Sequence, residues 1–449
     1  MTRIHADVRS RLFLLFGLVL IAGYLLITIF QLARSSYDIA GVFLVGPALA
    51  VLSIPLLARA RRTEPDPWVG QLFTFGLLAM VFAGFAHLFV DFSYYEGVAD
   101  ARVYSTQGAA WAAQLWQGEF APHLDIPLIG TGFMYVLTGM IYALIGPTIV
   151  GGYLFYSWLA FWGLYFCYRA FRTAMPGADY RRYALLILFL PSLVFWSSGI
   201  GKGAWMTLCM GLALLGAARL LSSTTRWILP LLTGLGGTAL VRPHITALLV
   251  VALLAGVLVR RTVNATLLSP IVHAATVGVL VIVGAVVLSH AASFLKLDTL
   301  SIESVTQVLN KTQQNTSDIG QSTFAAYAVN SPLNLPGALV TVLFRPFPWE
   351  ATSLVILASS VEGSLLIAFI ALSWRRWRQA PRLLRRYSYL MLALIAILLF
   401  VIAFSTLGNF GLLVRERVMI FPLVLVPLCL ARRISTTTND DAVEQVALR

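Results

Sequence analysis

The chain is poor in charge, in cysteine and in lysine. Of its 449 residues, 11% are charged and 59% are hydrophobic, and the mean hydropathy is +0.83. A soluble domain of this length does not have so apolar a composition, so we predict one all-α integral membrane domain over residues 1–449. The cysteines, Cys167, Cys209 and Cys429, lie inside apolar runs, which indicates neither a disulfide nor a metal site.

Two further features narrow the class of function. The chain has no G-x-x-x-x-G-K-S/T loop, so ATP bound on the inner side does not supply energy and the energy would come with a donor. The net charge of +13 would suggest a nucleic-acid partner for a soluble protein. Here the positive-inside rule accounts for the basic residues, so we expect membrane lipids as partners and no nucleic acid. The strong preference for arginine over lysine is typical of a GC-rich bacterial genome.

Apolar runs and basic loops together give the predicted topology. An α-helix rises about 1.5 Å per residue, so about 20 apolar residues cross the hydrocarbon core. Arg3, Arg9 and Arg11 precede the first run, which is too long for a signal peptide, so the N-terminus is predicted to be cytoplasmic. The same rule places the tail at residues 434–449 in the cytoplasm. We predict about twelve transmembrane helices, at residues 12–33, 39–57, 69–90, 148–168, 183–198, 204–221, two within 227–259, 270–292, one ending at 374, 387–407 and 418–430.

Two large loops are predicted on the outer side of the membrane. The first, residues 91–147, carries interfacial helices. Its apolar run at 126–145 is predicted to stay on the outer side, because a span there would place the arginines that follow it outside. The second loop, residues 293–349, contains a short apolar segment at 333–344 that we predict to be re-entrant.

The first outer loop begins with an amphipathic helix. Polar and aromatic side chains recur there at the spacing of one helical face, at Asp100, Tyr104, Gln107, Trp111 and Gln114. Gly118 would end the helix, and its other face carries Val103, Ala110 and Ala113. Such a helix lies along the interface, which places Asp100 in water just above the headgroups. Asp100 also suits the N-cap position, a structural role that is compatible with a catalytic one.

Charged groups gather at breaks of the chain on the predicted outer side. Lys202 lies in the glycine-rich turn 195–203, whose backbone amides can bind an anion. Arg242 and Arg345 each precede a proline inside an apolar segment, and a broken helix at membrane depth is tolerated mainly where it lines a cavity. Taken singly, these cations could equally pair with lipid phosphates. The candidate substrate-binding residues are Tyr104, Lys202, Arg242, His244, Arg345, Glu350, Arg415 and Arg417.

The outer loop with Asp100 and, four residues later, Tyr104 resembles the first outer loop of the GT-C superfamily of membrane glycosyltransferases. The outer turn at 190–198, which begins with Leu-Pro-Ser, also resembles an outer turn of those enzymes. The sequences at 343–350 and 409–417 resemble those of bacterial, mostly actinobacterial, polysaccharide-assembly proteins. The resemblance extends over roughly residues 12–433 in layout.

The resemblance implies an enzyme that takes a sugar from a polyprenyl-phosphate donor and transfers it to a cell-envelope glycan or glycolipid. The reaction would take place on the outer face of the bacterial plasma membrane. The resemblance also implies Asp100, or failing that Asp91, as the catalytic base. The chain departs from the family because it lacks a D-x-D motif and a soluble outer domain, so no motif supports a divalent metal and we expect no cofactor. The reaction needs a base for the acceptor hydroxyl and cations for the leaving phosphate, and the outer residues include both.

Two other functions remain open. A polysaccharide polymerase or ligase that joins lipid-diphosphate-linked glycans would also need arginines on the outer face. A lipid-glycan flippase or another transporter would carry ionisable groups near the membrane midplane, and Glu362 is the clear acid at such a position. Transporters often contain inverted repeats, and the sequence shows no internal repeat.

Overall fold

The computed structural model describes residues 17, 19, 21–30, 37–97, 99–121, 125–222, 224, 226–260, 269–294, 307, 322–329, 331–384 and 386–431. Regular secondary structure in these residues is helical, apart from one isolated β-bridge between Thr323 and Asn409. The prediction of an all-α fold is therefore confirmed. The predicted tail at 434–449 and much of the outer loop at 293–349 lie outside the described residues.

The chain folds into two compact units. Unit 1 comprises Met1–Leu159 and Ser198–Ala204, and unit 2 comprises Ala160–Ser197 and Trp205–Arg449. The helices of unit 1 are α1 (Ile21–Phe30), α2 (Tyr37–Arg62), α3 (Pro67–Phe89), α4 (Asp100–Trp116), α5 (Phe133–Ile145) and the first part of α6 (Ile149–Ala174). Short π-helical segments at Val90–Tyr94 and Leu128–Gly132 follow α3 and precede α5.

Unit 2 contains the rest of α6 and the helices that follow it. These are α7 (Tyr180–Phe189), α8 (Pro191–Trp196), α9 (Lys202–Leu221, which begins in unit 1), α10 (Ile228–Val241), α11 (Pro243–Val259), α12 (Ser269–Phe294), α13 (Leu335–Phe344), α14 (Leu354–Leu372), α15 (Trp374–Trp377), α16 (Ala380–Leu383), α17 (Ser388–Phe404), α18 (Phe410–Arg417) and α19 (Phe421–Leu428). α7, α10 and α13 each end two residues before a proline, because proline lacks the N–H that a helix interior requires.

Seven helices among the described residues are long and apolar enough to cross a membrane, or eight if one bent pair counts as a single span. The seven are Tyr37–Arg62, Pro67–Tyr94, Leu128–Ile145, Ile149–Ala174, Lys202–Leu221, Pro270–Phe294 and Leu354–Leu372. The shorter apolar helices are Ile21–Phe30, Ile228–Val241, Pro243–Val259 and Pro332–Phe344. This composition is that of a multi-pass membrane protein, while the predicted count of about twelve spans is not confirmed.

Prolines divide several of the predicted spans. The run at 227–259 breaks between Val241 and Pro243, as predicted. The run at 183–198 is instead two short helices, because Pro191 begins a new helix directly after α7. The last predicted span, 418–430, contains a helix of only 8 residues.

The predicted helix of the first outer loop is present, but its faces differ from the prediction. α4 begins at Asp100 and ends at Trp116, and Gly118 follows with a φ of +87°. Tyr104 and Trp111 are buried, because α4 packs on α5. Gly139 makes this close packing possible, since a Cβ there would come within 2.4 Å of Trp111.

The side of α4 away from α5 carries both polar and apolar residues. Asp100 and Gln107 are exposed there, and so are Val103, Ala110 and Ala113. The residue spacing placed Asp100 and Tyr104 on one face. The structure separates them, because the bulk of the aromatic rings is buried by the neighbouring helix.

Candidate functional site

The carboxylate of Asp91 lies where α3 changes its helical geometry. α3 begins at Pro67 after an Asp66 N-cap, and from Val90 to Tyr94 the chain continues as a π-helix. A π-turn adds a residue per turn and is frequent at functional sites. The change therefore rotates Asp91 relative to a continued α-helix, and Asp91 is buried at 9% exposure.

Two aromatic side chains hold Asp91. Tyr153 on α6 donates a hydrogen bond from its hydroxyl to Asp91 Oδ2. His87, one turn earlier on α3, places Nε2 3.7 Å from the same oxygen, and its ring lies edge-on to Tyr153 at 5.9 Å between centroids. The side chains of His87 and Asp91 each keep 12% exposure, so the carboxylate is held in place without being sealed. We call His87, Asp91 and Tyr153 the Asp91 cluster.

The turn Ser198–Lys202 packs against this cluster. The backbone of Gly199 lies on the His87 imidazole, since a Cβ there would come within 2.8 Å of its Cε1 and Nδ1 atoms. Ser157 Oγ lies 2.7 Å from the Tyr153 carbonyl oxygen and 2.9 Å from that of Ser198, so it connects the turn to α6. A residue larger than glycine at position 199 would therefore displace the imidazole or the turn.

The same turn brings Lys202 and Tyr104 to this part of unit 1. Lys202 Nζ donates a hydrogen bond to Thr131 Oγ1 at 3.0 Å. The Cβ position of Gly201 lies 3.8 Å from Tyr104 Cε2, and Tyr104 packs on Tyr135 at 6.0 Å between ring centroids. One short turn thus connects the Asp91 cluster to two of the predicted substrate-binding residues.

Asp100, the first predicted base, has different surroundings. It is the exposed first residue of α4, and the N-cap position belongs to Ala99, which has no side-chain cap. The prediction that Asp100 is the N-cap is therefore wrong by one residue.

In unit 2, the predicted pair Arg345 and Glu350 forms a closed ion pair. Arg345 Nε lies 3.0 and 3.1 Å from the two carboxylate oxygens of Glu350, which also accept a 2.8 Å hydrogen bond from the Phe347 amide. The guanidinium lies over the stacked rings of Phe324 and Phe410, at 4.7 and 5.3 Å from their centroids. Burial raises the pKa of Glu350, but the hydrogen bonds from Arg345 and Phe347 outweigh it and hold that pKa below its usual value.

Arg417 is fully buried, at 0% exposure. Its guanidinium donates hydrogen bonds to the main-chain carbonyls of Leu343 at 3.4 Å, Arg345 at 2.6 Å and Ser359 at 3.5 Å. Burial lowers the pKa of Arg417 to about 10, against the opposing charge of Glu362, so the guanidinium stays charged at neutral pH. These contacts tie α13, α14 and α18 together, and substrate binding by Arg417 stays a prediction.

The remaining predicted residues of unit 2, Arg242, His244 and Arg415, have three different environments. Arg242 donates a 2.6 Å hydrogen bond to Glu416 and forms an ion pair with it. His244 stacks on Phe294 at 5.9 Å between ring centroids. Arg415 is exposed. Arg242 and Arg345 each have a carboxylate partner, so a phosphate at either guanidinium would compete with that partner for N–H donors.

Sequence reasoning did not find His87 or Tyr153. His87 and Asp91 are four residues apart on a helix, a spacing that could have indicated their proximity. Tyr153 lies 62 residues after Asp91, and its phenol has no distinguishing pattern in an aromatic-rich helix. The contact depends on how α3 and α6 pack, which local periodicity does not specify.

Neither a metal-binding group nor a known relative identifies a function for this site. Within the described ranges, no group of three or more His, Cys, Asp or Glu side chains could hold a metal ion. Comparison of the chain with protein-family models, with curated proteins and with solved structures gives no match.

Proposed function

We propose that the chain is a membrane glycosyltransferase that moves a sugar from a polyprenyl-phosphate carrier to a cell-envelope glycan or glycolipid. The observation that carries this proposal is the Asp91 cluster, in which a buried carboxylate is held by Tyr153 and His87 beside the turn that ends at Lys202. Sugar transfer from a lipid phosphate needs a base for the acceptor and a cation for the leaving group. Asp91 and Lys202 supply one of each within unit 1.

In the proposed reaction, the acceptor hydroxyl oxygen attacks the anomeric carbon of the donor sugar. The bond from that carbon to the phosphate oxygen breaks, and Asp91 takes the hydroxyl proton. Lys202 stabilises the negative charge of the departing polyprenyl phosphate. Asp100 is the alternative base. We prefer Asp91 because a base contributes most when its position is fixed, and Asp91 is packed whereas Asp100 is exposed.

The proposed setting is a bacterial plasma membrane that the chain crosses about twelve times. Both termini would be cytoplasmic and the Asp91 cluster would face the outside. Support for this orientation comes from the basic residues, most of which fall in the loops assigned to the cytoplasm. The count of twelve would require the shorter apolar helices, such as Ile228–Val241 and Pro243–Val259, to act as spans.

One observation favours a second function, a lipid-glycan flippase or another transporter. Glu362 lies within the candidate span α14 at 5% exposure and accepts a 2.7 Å hydrogen bond from the Ser192 amide through Oε2. Its other oxygen, Oε1, accepts no hydrogen bond in the part of the chain that the structure describes. Buried acids of this kind mark proton or ion pathways in transporters. A polymerase or ligase that uses lipid-diphosphate donors is the third alternative.

The test is donor turnover by the purified chain in detergent. Radiolabelled polyprenyl-phosphate hexose and pentose should each be offered, with and without an envelope glycolipid extract, and the release of polyprenyl phosphate followed. Detergent removes the two compartments that transport requires, so a transporter gives no product. We expect turnover by the wild type and by Glu119→Gln, an exposed carboxylate of unit 1, and its loss in Asp91→Asn.

Absence of turnover with every monophosphate donor would contradict the proposal. Turnover of lipid-diphosphate glycans alone would indicate the polymerase or ligase. If neither donor class reacts and a Glu362→Gln variant loses uptake or flipping in vesicles, the transporter is correct.

A further inference from the structure

Between two apolar helices of unit 2 the chain turns sharply at a basic, tryptophan-containing segment. The helical stretch Trp374–Leu383 meets α17 at an angle of 111°, and α14 ends directly before it, at Leu372. α14 is long and apolar enough to span a membrane, and α17 continues as a long apolar helix. Because the segment is basic, contains tryptophan and is bent away from the helix that follows, we expect it to lie along a membrane surface. We call the described residues 373–384, 386 and 387 the elbow.

Internal contacts hold the elbow in place on one side. Arg376 is buried, forms a 2.8 Å ion pair with Asp179 and donates a 2.8 Å hydrogen bond to the Leu430 carbonyl. Tyr387 donates from its hydroxyl to the Pro176 carbonyl at 2.6 Å. The elbow is therefore fixed to the α6–α7 turn and to the end of α19, and all three segments were predicted to lie on the cytoplasmic side.

The arginines that the elbow exposes have no acidic partner among the residues that the structure describes. Its exposed arginines are Arg375, Arg378, Arg382 and Arg386. Among the described residues, none of these guanidinium groups has a carboxylate within ion-pair distance. Residues 373–407 contain no acidic residue at all. Trp374, 48% exposed, has the Arg378 guanidinium 5.8 Å from its ring centroid.

We propose that the exposed side of the elbow is a binding site for the phosphodiester headgroup of an anionic phospholipid. Arginine forks suit phosphate oxygens, and an exposed tryptophan beside them suits the region between headgroups and acyl chains. Arg376 differs from these arginines, because Asp179 pairs with it while the exposed arginines have no carboxylate partner in the described part of the chain. Each basic residue near an anionic surface strengthens lipid binding about fivefold. The inference is independent of the proposed glycosyltransferase activity.

The test compares two double variants that remove the same charge. Native mass spectrometry of the full chain in neutral detergent should measure the binding of phosphatidylglycerol and of phosphatidylcholine with the same acyl chains. Arg378→Gln/Arg382→Gln should weaken phosphatidylglycerol binding about thirtyfold and leave phosphatidylcholine unchanged. Arg59→Gln/Arg62→Gln, which changes exposed arginines at the end of α2, is the matched control and should have little effect.

A charge-preserving double variant keeps the test independent of folding. Arg378→Lys/Arg382→Lys keeps the charge but loses the guanidinium fork, so it should bind phosphatidylglycerol more tightly than the Gln double variant and less tightly than the wild type. Inorganic phosphate at the lipid concentration should not displace the lipid. Equal losses in the elbow and α2 variants would show a general charge effect and overturn the site. Undiminished binding in the elbow variant, no preference for phosphatidylglycerol, or displacement by inorganic phosphate would overturn it as well.

Discussion

The Asp91 cluster of unit 1 and the arginines of unit 2 show two ways of keeping charge inside a membrane protein. Asp91 is held by a hydroxyl and an imidazole. Two arginines of unit 2 are instead matched by acceptors of their own unit, the half-buried Arg345 by Glu350 and the buried Arg417 by main-chain carbonyls. We interpret a charge that is matched by an ion or by carbonyls as stabilising the fold, and a carboxylate that is positioned by a hydroxyl and an imidazole as a candidate for proton transfer. We therefore assign chemistry to the first region and structure to the second.

The largest effect that this comparison predicts is on the stability of unit 2. Arg417→Gln removes the hydrogen bonds to three carbonyls and leaves Glu362 buried without its nearby opposite charge. Loss of one member of a buried charge arrangement costs about 3–5 kcal/mol. We expect the free energy of unfolding in detergent to fall by about that amount.

The neighbouring Arg415 provides the control for this experiment. It is exposed, so Arg415→Gln should change the unfolding free energy by no more than about 0.5 kcal/mol. If both variants are equally stable, Arg417 is not structural, and its predicted role in substrate binding regains priority.

A smaller effect is expected for Glu350→Gln. This change removes the ion pair with Arg345, and charged hydrogen bonds contribute about 1.5–3 kcal/mol. Because the folded-state pKa of Glu350 lies below its ordinary value of 4.5, the pair stabilises the folded chain above that pH. The contribution is lost as the pH falls through the folded-state pKa. Unfolding followed from neutral to acid pH should show a wild-type advantage over Glu350→Gln at neutral pH that disappears in acid.

The smallest predicted effect concerns donor binding by the predicted phosphate ligands, of which Lys202 lies in unit 1 and Arg242 in unit 2. Lys202→Gln should weaken the binding of a polyprenyl-phosphate sugar at least about tenfold, because one charged contact contributes roughly 1.5–3 kcal/mol and about 1.4 kcal/mol corresponds to a factor of ten. Arg242→Gln should leave donor affinity unchanged, since its guanidinium is paired with Glu416. Equilibrium binding of the labelled donor measures both. The reverse order of effects would move the phosphate site to unit 2.

The sequence predicted the architecture better than the site. Apolar runs and proline breaks located most helices, including the break before Pro243, because they depend on local composition. Spacing also located α4, although it misjudged which face is buried, since burial depends on packing against α5. The ion-pair partners of Arg345 and Arg242 also differ in whether local sequence can identify them. Glu350 is five residues from Arg345, whereas Glu416 lies 174 residues from Arg242 and could not be identified locally.

The Asp91 cluster is the part of the site that the sequence predicted least well. Asp91 was only the second choice for the base, because an aspartate near the end of a span has no distinctive pattern. Its burial depends on the π-helical turn at Val90–Tyr94, and its hydrogen bond comes from Tyr153 on another helix. Neither feature follows from hydrophobic periodicity, which treats this stretch as a uniform α-helix.

The most direct test of the account is the sugar-transfer rate of Asp91→Asn beside that of Asp100→Asn, both as folded protein in detergent. Asparagine keeps the size of aspartate and can still accept the Tyr153 hydrogen bond, so the fold should survive and the thermal unfolding curves should match the wild type. General bases contribute about 10² to 10⁴ in rate, so Asp91→Asn should lose at least about a hundredfold while Asp100→Asn stays within about threefold of the wild type. Loss of transfer in Asp100→Asn with normal turnover in Asp91→Asn would contradict the assignment of the base to the Asp91 cluster.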